Sequence, residues 1–217
     1  MMKKLSRVVM LAMIVGAVFG RSTAEASPII FESATAGLSD AGGVSILSWQ
    51  FLGVRFDVLQ TVTTATVGGM MGGSGSVFAA VVALTGPSDF PNSGDLSTAD
   101  VIAHTTFTLS NDSTADLSTP LVTTLTAGKY ALIFGSGLFG ATGEGWMSQS
   151  GTALIGTPSY FRHDGIANQY VESPFAATRF TVTADPASPT PVPEPASLIL
   201  LGTGIAGVAA KLRNRGK

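Results

Sequence analysis

Two histidines, a cluster of carboxylates in one loop and a glycine-rich hexapeptide are the groups with which this 217-residue chain could do chemistry. The hexapeptide GTGIAG, Gly202 to Gly207, satisfies the dinucleotide pattern G-x-G-x-x-G. That pattern holds a pyrophosphate only between a strand and a helix, with an acidic residue on a second strand roughly 20 positions on. Only VAAKLRNRGK follows Gly207, which leaves no room for the crossover helix, the second strand or the carboxylate. The cofactor reading therefore fails on length. Nucleophilic hydrolysis fares no better, because no serine sits in a G-x-S-x-G elbow. His104 falls on the polar side of an alternating segment and reads as solvent-facing. His163-Asp164, in YFRHDG, reads as a short strand running into a turn rather than as half of a triad. With two histidines and no cysteine, an ordinary zinc site is out of reach. A glycosidase needs two carboxyl groups flanking one bond. Twelve of the fourteen acidic residues lie between Ser27 and Val192, and nothing singles out two of them. The chain is therefore expected not to be an enzyme, with a secreted hydrolase as the remote alternative.

Two features point to binding. The loop PSDFPNSGDLSTAD brings Asp89, Asn92, Asp95 and Asp100 close in sequence, and hard oxygen donors on a loop suit Ca²⁺. The same residue types are ordinary turn formers, and the EF-hand spacing is absent, so calcium is the only cofactor entertained and none is required. Sugar binding by a β-domain needs an exposed aromatic platform. The candidates are Trp49, Trp146, Tyr160 and Tyr170; Trp146, after Gly143-Glu144-Gly145, is the best placed, whereas Trp49 in ILSWQFL reads as core.

The elements that would position these groups are strands. Apolar and polar residues alternate with period two in Val54 to Val58, Val101 to Leu109 and Arg179 to Thr183, the pattern of half-buried strands. VFAAVVAL, Val77 to Leu84, is apolar throughout and suits a central strand covered on both faces. Leu121 to Leu125 and Lys129 to Phe134, with Thr126-Ala127-Gly128 between them, predict a hairpin with a three-residue loop. GGMMGGSGS (Gly68 to Ser76) and GSGLFGATGEG (Gly135 to Gly145) read as long connections at a sandwich edge or as ligand-binding loops. No long amphipathic helix appears. The expected fold is all-β, a single β-sandwich of jelly-roll or Ig-like type with eight or nine strands, spanning residues 27–184.

The two ends carry targeting signals. Lys3, Lys4 and Arg7 precede the apolar stretch Val8 to Gly20, and Ala24-Glu25-Ala26 satisfies the A-x-A rule for cleavage before Ser27. Residues 1–26 are thus an export signal for signal peptidase. Residues 185–195, DPASPTPVPEP, form a proline-stiffened spacer. Ala196 to Ala210 carries no charge and runs into Lys211, Arg213, Arg215 and Lys217. A helix over 196–212 is short for a bilayer of ~30 Å, but a basic tail at 213–217 would stay in the cytoplasm and leave the body outside. That body, with four basic and twelve acidic residues between Ser27 and Val192, has a net charge of −8 and would repel nucleic acid.

The terminal stretch VPEPASLILLGTGIAGVAAKLRNRGK resembles a PEP-CTERM sorting signal: Val192, Pro193-Glu194-Pro195, a short apolar helix and a terminal Arg/Lys cluster, in that order. The resemblance implies that an exosortase recognises and processes the tail in the inner membrane of a Gram-negative bacterium. The product would be delivered to the cell surface or to an exopolysaccharide matrix. Stretches of the body, among them VFAAVVALTGPSDFP and LTAGKYALIFGSGLFGATG, are similar to β-sandwich ectodomains of this tagged class. Leu125, Gly128, Tyr130 and Leu132 look like the closing hairpin of jelly-roll and carbohydrate-binding modules. Together these imply a non-catalytic structural or adhesive ectodomain, or alternatively a module that binds exopolysaccharide.

Overall fold

A computed structural model describes residues 28–37, 43–109, 113–155, 159–173 and 177–185. The expected signal peptide with its cleavage residues Ala24, Ala26 and Ser27, the sorting residues Val192 to Pro195, the C-terminal helix and the basic tail all lie outside them. The described residues form twelve strands: β1 (Ile29–Glu32), β2 (Gly43–Ile46), β3 (Gln50–Val58), β4 (Val62–Leu84), β5 (Val101–Leu109), β6 (Ala115–Pro120), β7 (Thr124–Leu125), β8 (Gly128–Gly135), β9 (Glu144–Ser148), β10 (Tyr160–Asp164), β11 (Gln169–Glu172) and β12 (Phe180–Ala184). All pair antiparallel in one sheet, with a main path β1-β12-β4-β8-β3-β10-β11. The all-β expectation holds.

The organising element is β4, 23 residues long. Its first limb pairs with β12, β6, β7 and β9. Its second limb, from Gly75 onward, pairs with β5 and β8. The sheet therefore curls on itself about β4, and its two halves face one another. Between them lies a core of Leu52, Val54, Phe56, Val67, Met71, Val77, Val81, Leu132, Phe134, Phe180 and Val182, all buried. Phe134 stacks on Phe180 at 5.2 Å, joining the halves ring to ring. A second core lies on the outer face of the β4–β8–β3 region, where Phe51, Phe78, Val82, Ile133 and Phe161 are covered by Leu96, Phe90, Leu138 and Phe139 from loops. Covering on both sides explains the unbroken apolar run of Val77 to Leu84.

The first glycine cluster differs from both readings given above, whereas most of the second, Gly135 to Gly145, is the connection between β8 and β9. Gly68 to Ser76 is not a connection: it is the middle of β4, and it is where the strand turns from one half of the sheet to the other. Gly73 and Gly75 have φ of +137° and +75°, a region that side chains with a Cβ enter at a cost. The second cluster packs against this bend. A Cβ on Gly143 would fall 2.4 Å from both Ser74 O and Ser76 N, so two backbones touch where ordinary residues would hold them apart.

Three further expectations are corrected. Thr124–Leu125 and Gly128–Gly135 do not form a hairpin: β7 pairs with Val62 and Thr63 of β4, whereas β8 pairs with β3 and with the far limb of β4. The Thr126-Ala127-Gly128 link is a crossing between the halves, and the Tyr130 hydroxyl fastens it by donating to Thr126 O at 2.9 Å. Trp49 is not core: it stands in the tight turn between β2 and β3 and is 45% exposed. The strands number twelve among the described residues rather than eight or nine, because short edge strands such as β2, β7 and β11 carry too few residues to show a period.

The bend makes a prediction. Gly75→Ala places a Cβ in the left-handed region and should cost about 1–2 kcal/mol for handedness alone, with added strain from Gly143 Cα at 2.7 Å. Gly86→Ala, whose Cβ would meet nothing within 4 Å, should be neutral or mildly stabilising. Urea unfolding would show the first as a lower midpoint at unchanged slope and the second as no loss.

Candidate functional site

The loop of residues 85–100 joins β4 to β5 and lies across the outer face of the sheet. What holds it there is Arg55, which the V-R-F-D alternation placed on a polar strand face but which is 7% exposed. Its guanidinium lies 4.4 Å from the Phe90 ring centre and 5.2 Å from that of Phe161. It donates to Asp89 O at 2.7 Å and to Ser88 O at 3.4 Å, and it stands 3.9 Å from the Glu172 carboxylate. Burial lowers its pKa, while the charges of Glu172 and Asp89 work the other way. An arginine starts so high that it stays charged. The stacked cation and its backbone acceptors fix the loop against β3 and β10.

Of the four loop residues named as calcium ligands, the three carboxylates are each engaged locally. Asp89 accepts from Thr85 N and Thr85 Oγ1 on one oxygen and from Phe90 N on the other. The Thr85 hydroxyl is the main reason its pKa lies below the ordinary carboxylate value. Asp95 accepts from Ser97 N and Ser97 Oγ, and the Ser97 hydroxyl lowers its pKa in the same way. Asp100 accepts from Asn92 N at 2.8 Å and from the Thr98 hydroxyl. These are the side-chain-to-backbone bonds of turn-forming residues. Among the described residues no three His, Asp or Glu side chains converge as a cation site.

An open depression of about 550 Å³ does lie at this loop. One wall is Phe90 to Asp95, the other Asn168 to Tyr170 from the turn between β10 and β11. Tyr170 ties the walls together by donating to Ser93 O at 3.0 Å, and its ring stacks on Phe90 at 5.9 Å and 11°. Burial, reinforced by the charges of Asp100 and Asp95, pushes the Tyr170 phenol far above its ordinary value, so it remains a neutral donor. Under the depression lies His163, 5% exposed, stacked on Phe51 at 5.2 Å and tilted against Tyr170 at 4.8 Å. Neither ring nitrogen has a hydrogen bond of good geometry. A Cβ on Gly94 would fall 2.4 Å from His163 Nε2 and 2.7 Å from Asn168 Oδ1, so glycine lets the loop close down on the ring.

Trp146 is elsewhere. It belongs to β9, opposite Ser45 on one side and Gly72 on the other, and it is half-buried rather than standing free in a loop. Its indole fills the space left by the missing side chains of Gly72 and Gly43. His104 is on the exposed face of β5, as its position in the alternation indicated, and stacks on Phe139 at 4.0 Å. Sequence reasoning missed the roles of Arg55, Phe90 and Asn168, whereas Tyr170 was among its aromatic candidates and does line the depression. Only the lone arginine within a strongly apolar strand offered a signal for any of them.

Comparison with known families adds the other site. Residues 191–215 match the family model described as the PEP-CTERM protein-sorting motif. The match begins shortly after β12 ends at Ala184 and contains Pro193-Glu194-Pro195. No curated protein matches the chain. The chain thus carries a PEP-CTERM sorting motif behind a β-rich domain. Such a motif implies export through the inner membrane of a Gram-negative cell, with an exosortase as processing partner.

His163 makes stability depend on pH. Burial holds it below its ordinary value of 6.5, and the nearby Asn168 carboxamide and the Asp164 charge oppose this only in part. The folded histidine stays neutral while the unfolded one takes a proton as pH falls through 6.5. Its contribution is therefore whole above that value and is lost below it, down to the lower folded-state pKa. The urea midpoint should fall between about pH 7 and 5, and His163→Leu should flatten that slope. An unchanged slope in the variant would show that other groups set it.

Proposed function

We propose that this is an exported, exosortase-processed surface or matrix protein whose β-domain has a structural or adhesive, non-catalytic role. The observation that carries the reading is the sorting motif at 191–215, placed directly behind the folded domain. The partners that follow are signal peptidase at Ala24 to Ser27, an exosortase at Pro193-Glu194-Pro195, and the inner membrane around the apolar stretch until processing. A non-catalytic role is supported by how the polar groups are used. The loop carboxylates accept from their own loop, and His163 has no hydroxyl in hydrogen-bonding position to activate. Domain limits at 27–184, 185–195, 196–212 and 213–217 belong to the same proposal.

In a host with the matching exosortase, the surface fraction should contain a product that has lost the tail, and mass spectrometry should find its new C-terminus. Glu194→Ala, or deletion of the exosortase, should leave the tail-bearing chain in the inner membrane. A cytoplasmic product retaining both Met1 and Lys217 would overturn the reading.

A second reading, binding of exopolysaccharide, is favoured by one feature: the open depression with amide and hydroxyl groups of Asn92, Ser93, Asn168 and Gln169 on its walls. Pairing such groups with sugar hydroxyls is the usual means of polar recognition. On this reading Asn92→Ala with Gln169→Ala should weaken binding to the host's own polysaccharide about tenfold, a loss of ~1.4 kcal/mol, with or without calcium. The half-buried Trp146 makes Trp146→Ala the less informative variant. Absence of saturable binding would leave the structural role.

A further inference from the structure

The end of the domain from which the tail departs has an unusual surface. The last residues of β12 lie beside the first residues of the described chain: Ala184 N donates to Pro28 O at 2.7 Å, and Asp185 N donates to Thr63 O at 2.9 Å. The chain toward the sorting motif therefore leaves from the same place where the exported N-terminus arrives. Between them opens an apolar groove of about 310 Å³, lined by Pro28, Ile29, Ile30, Val58, Leu59 and Val62. Leu59, at the tip of the turn between β3 and β4, is 90% exposed, and Ile29 is 57% exposed. Val122 is 70% exposed in the segment that bonds to β4 through Thr64 and Ala65, so it belongs to this end as well. Asp57 at the groove's edge is paired with Lys129 at 2.9 Å, which leaves exposed Asp185 as the nearby carboxylate.

We propose that this end docks on the lipid surface while the tail still anchors the protein, with Leu59 and Ile29 entering the interfacial layer. The inference rests on the proposed anchoring of the tail. What selects a bilayer over other occupants is the route of the chain. The proline-rich spacer begins at Asp185, whose N donates to Thr63 O beside the groove, and the uncharged stretch begins at Ala196. As a polyproline helix rising ~3.1 Å per residue, that spacer holds the groove within about 30 Å of the membrane. A tether this short makes contact an intramolecular event at millimolar effective concentration, so a few aliphatic side chains suffice where they would not for a free protein. Processing that removes the tail ends the advantage, and the surface then releases.

The chain has no cysteine, so a single probe can be placed without background. Gln60→Cys, exposed beside Leu59, would carry an environment-sensitive dye. Thr142→Cys, exposed at the far bend of β4, would be the control. The tail-bearing chain, purified from membranes of a host lacking exosortase, would be reconstituted into phosphatidylcholine vesicles with spin-labelled lipid. Flotation with the vesicles reports anchoring independently of the dye. The expected result is flotation, several-fold stronger lipid quenching at residue 60 than at 142, and loss of that difference in Leu59→Asp with Ile29→Asp. Flotation with equal, weak quenching at both positions would overturn docking and leave anchoring intact. Shielding of residue 60 from aqueous quencher without lipid quenching would mean that a second copy covers the groove, and would also overturn it. Failure to float would overturn the anchoring reading and the docking with it.

Discussion

The structure depends on one backbone contact. For β4 to serve both halves of the sheet, a single strand must change direction without losing its partners, and it does so at Gly72 to Ser76 against Gly143 to Gly145. No side chain could sit between these segments, because the atoms of each occupy the positions where the other's Cβ would be. The cost is entropic, since glycine surrenders more freedom than any other residue on ordering. The return is the closed core: Phe134 on one half meets Phe180 on the other only because β4 has carried the sheet around. A cysteine-free exported domain has no disulfide to hold such a closure, so packing across the curl has to supply it.

A second device works on the outside. A curled sheet has an outer face, and here that face is apolar around Phe51, Phe78 and Phe161. A loop of turn-forming residues is a poor cover for it. Arg55 resolves the conflict by reaching out between Phe90 and Phe161 and taking the carbonyls of Ser88 and Asp89. The loop's carboxylates then need only satisfy neighbouring donors, which they do within a few residues. The depression and the buried His163 follow from this arrangement: they are what remains where the pinned loop meets the β10–β11 turn.

Legibility in the sequence follows the range of the interaction. Strands with long periodic or unbroken apolar runs, such as Val77 to Leu84 and Val101 to Leu109, were readable because burial imposes its period on the chain. Pairing was not: β7 and β8 look like a hairpin since their spacing satisfies one, but β7 bonds to Val62 and Thr63 instead. The glycines at 68–76 look like a loop because glycine usually marks one. Only the contact with 143–145, some 70 positions away, makes them strand, and no local pattern contains it. The same holds for Arg55, whose burial depends on a loop that starts 30 residues later. Trp49, expected in the core, is exposed, and Trp146, expected free in a loop, is half-buried in β9, for the same reason. By contrast the sorting motif was readable in full, since it is recognised as a linear string and needs no fold to be complete.

That difference separates two kinds of information in one chain. The tail carries its address in consecutive residues, while the domain's properties arise from residues far apart. The geometry joins them at a single place. β1 and β12 are neighbours in the sheet, so the first and last described residues share one end, and Ser33 and Tyr160 lock these strands to the carbonyls of Thr178 and Ser33. The strand from which the chain runs on toward the sorting motif is β12, which is bonded along its length to β4 as well as to β1. A domain whose sorting motif follows directly on its last strand gains most from having that strand inside the sheet rather than at its edge, because both of its sides are then held by hydrogen bonds.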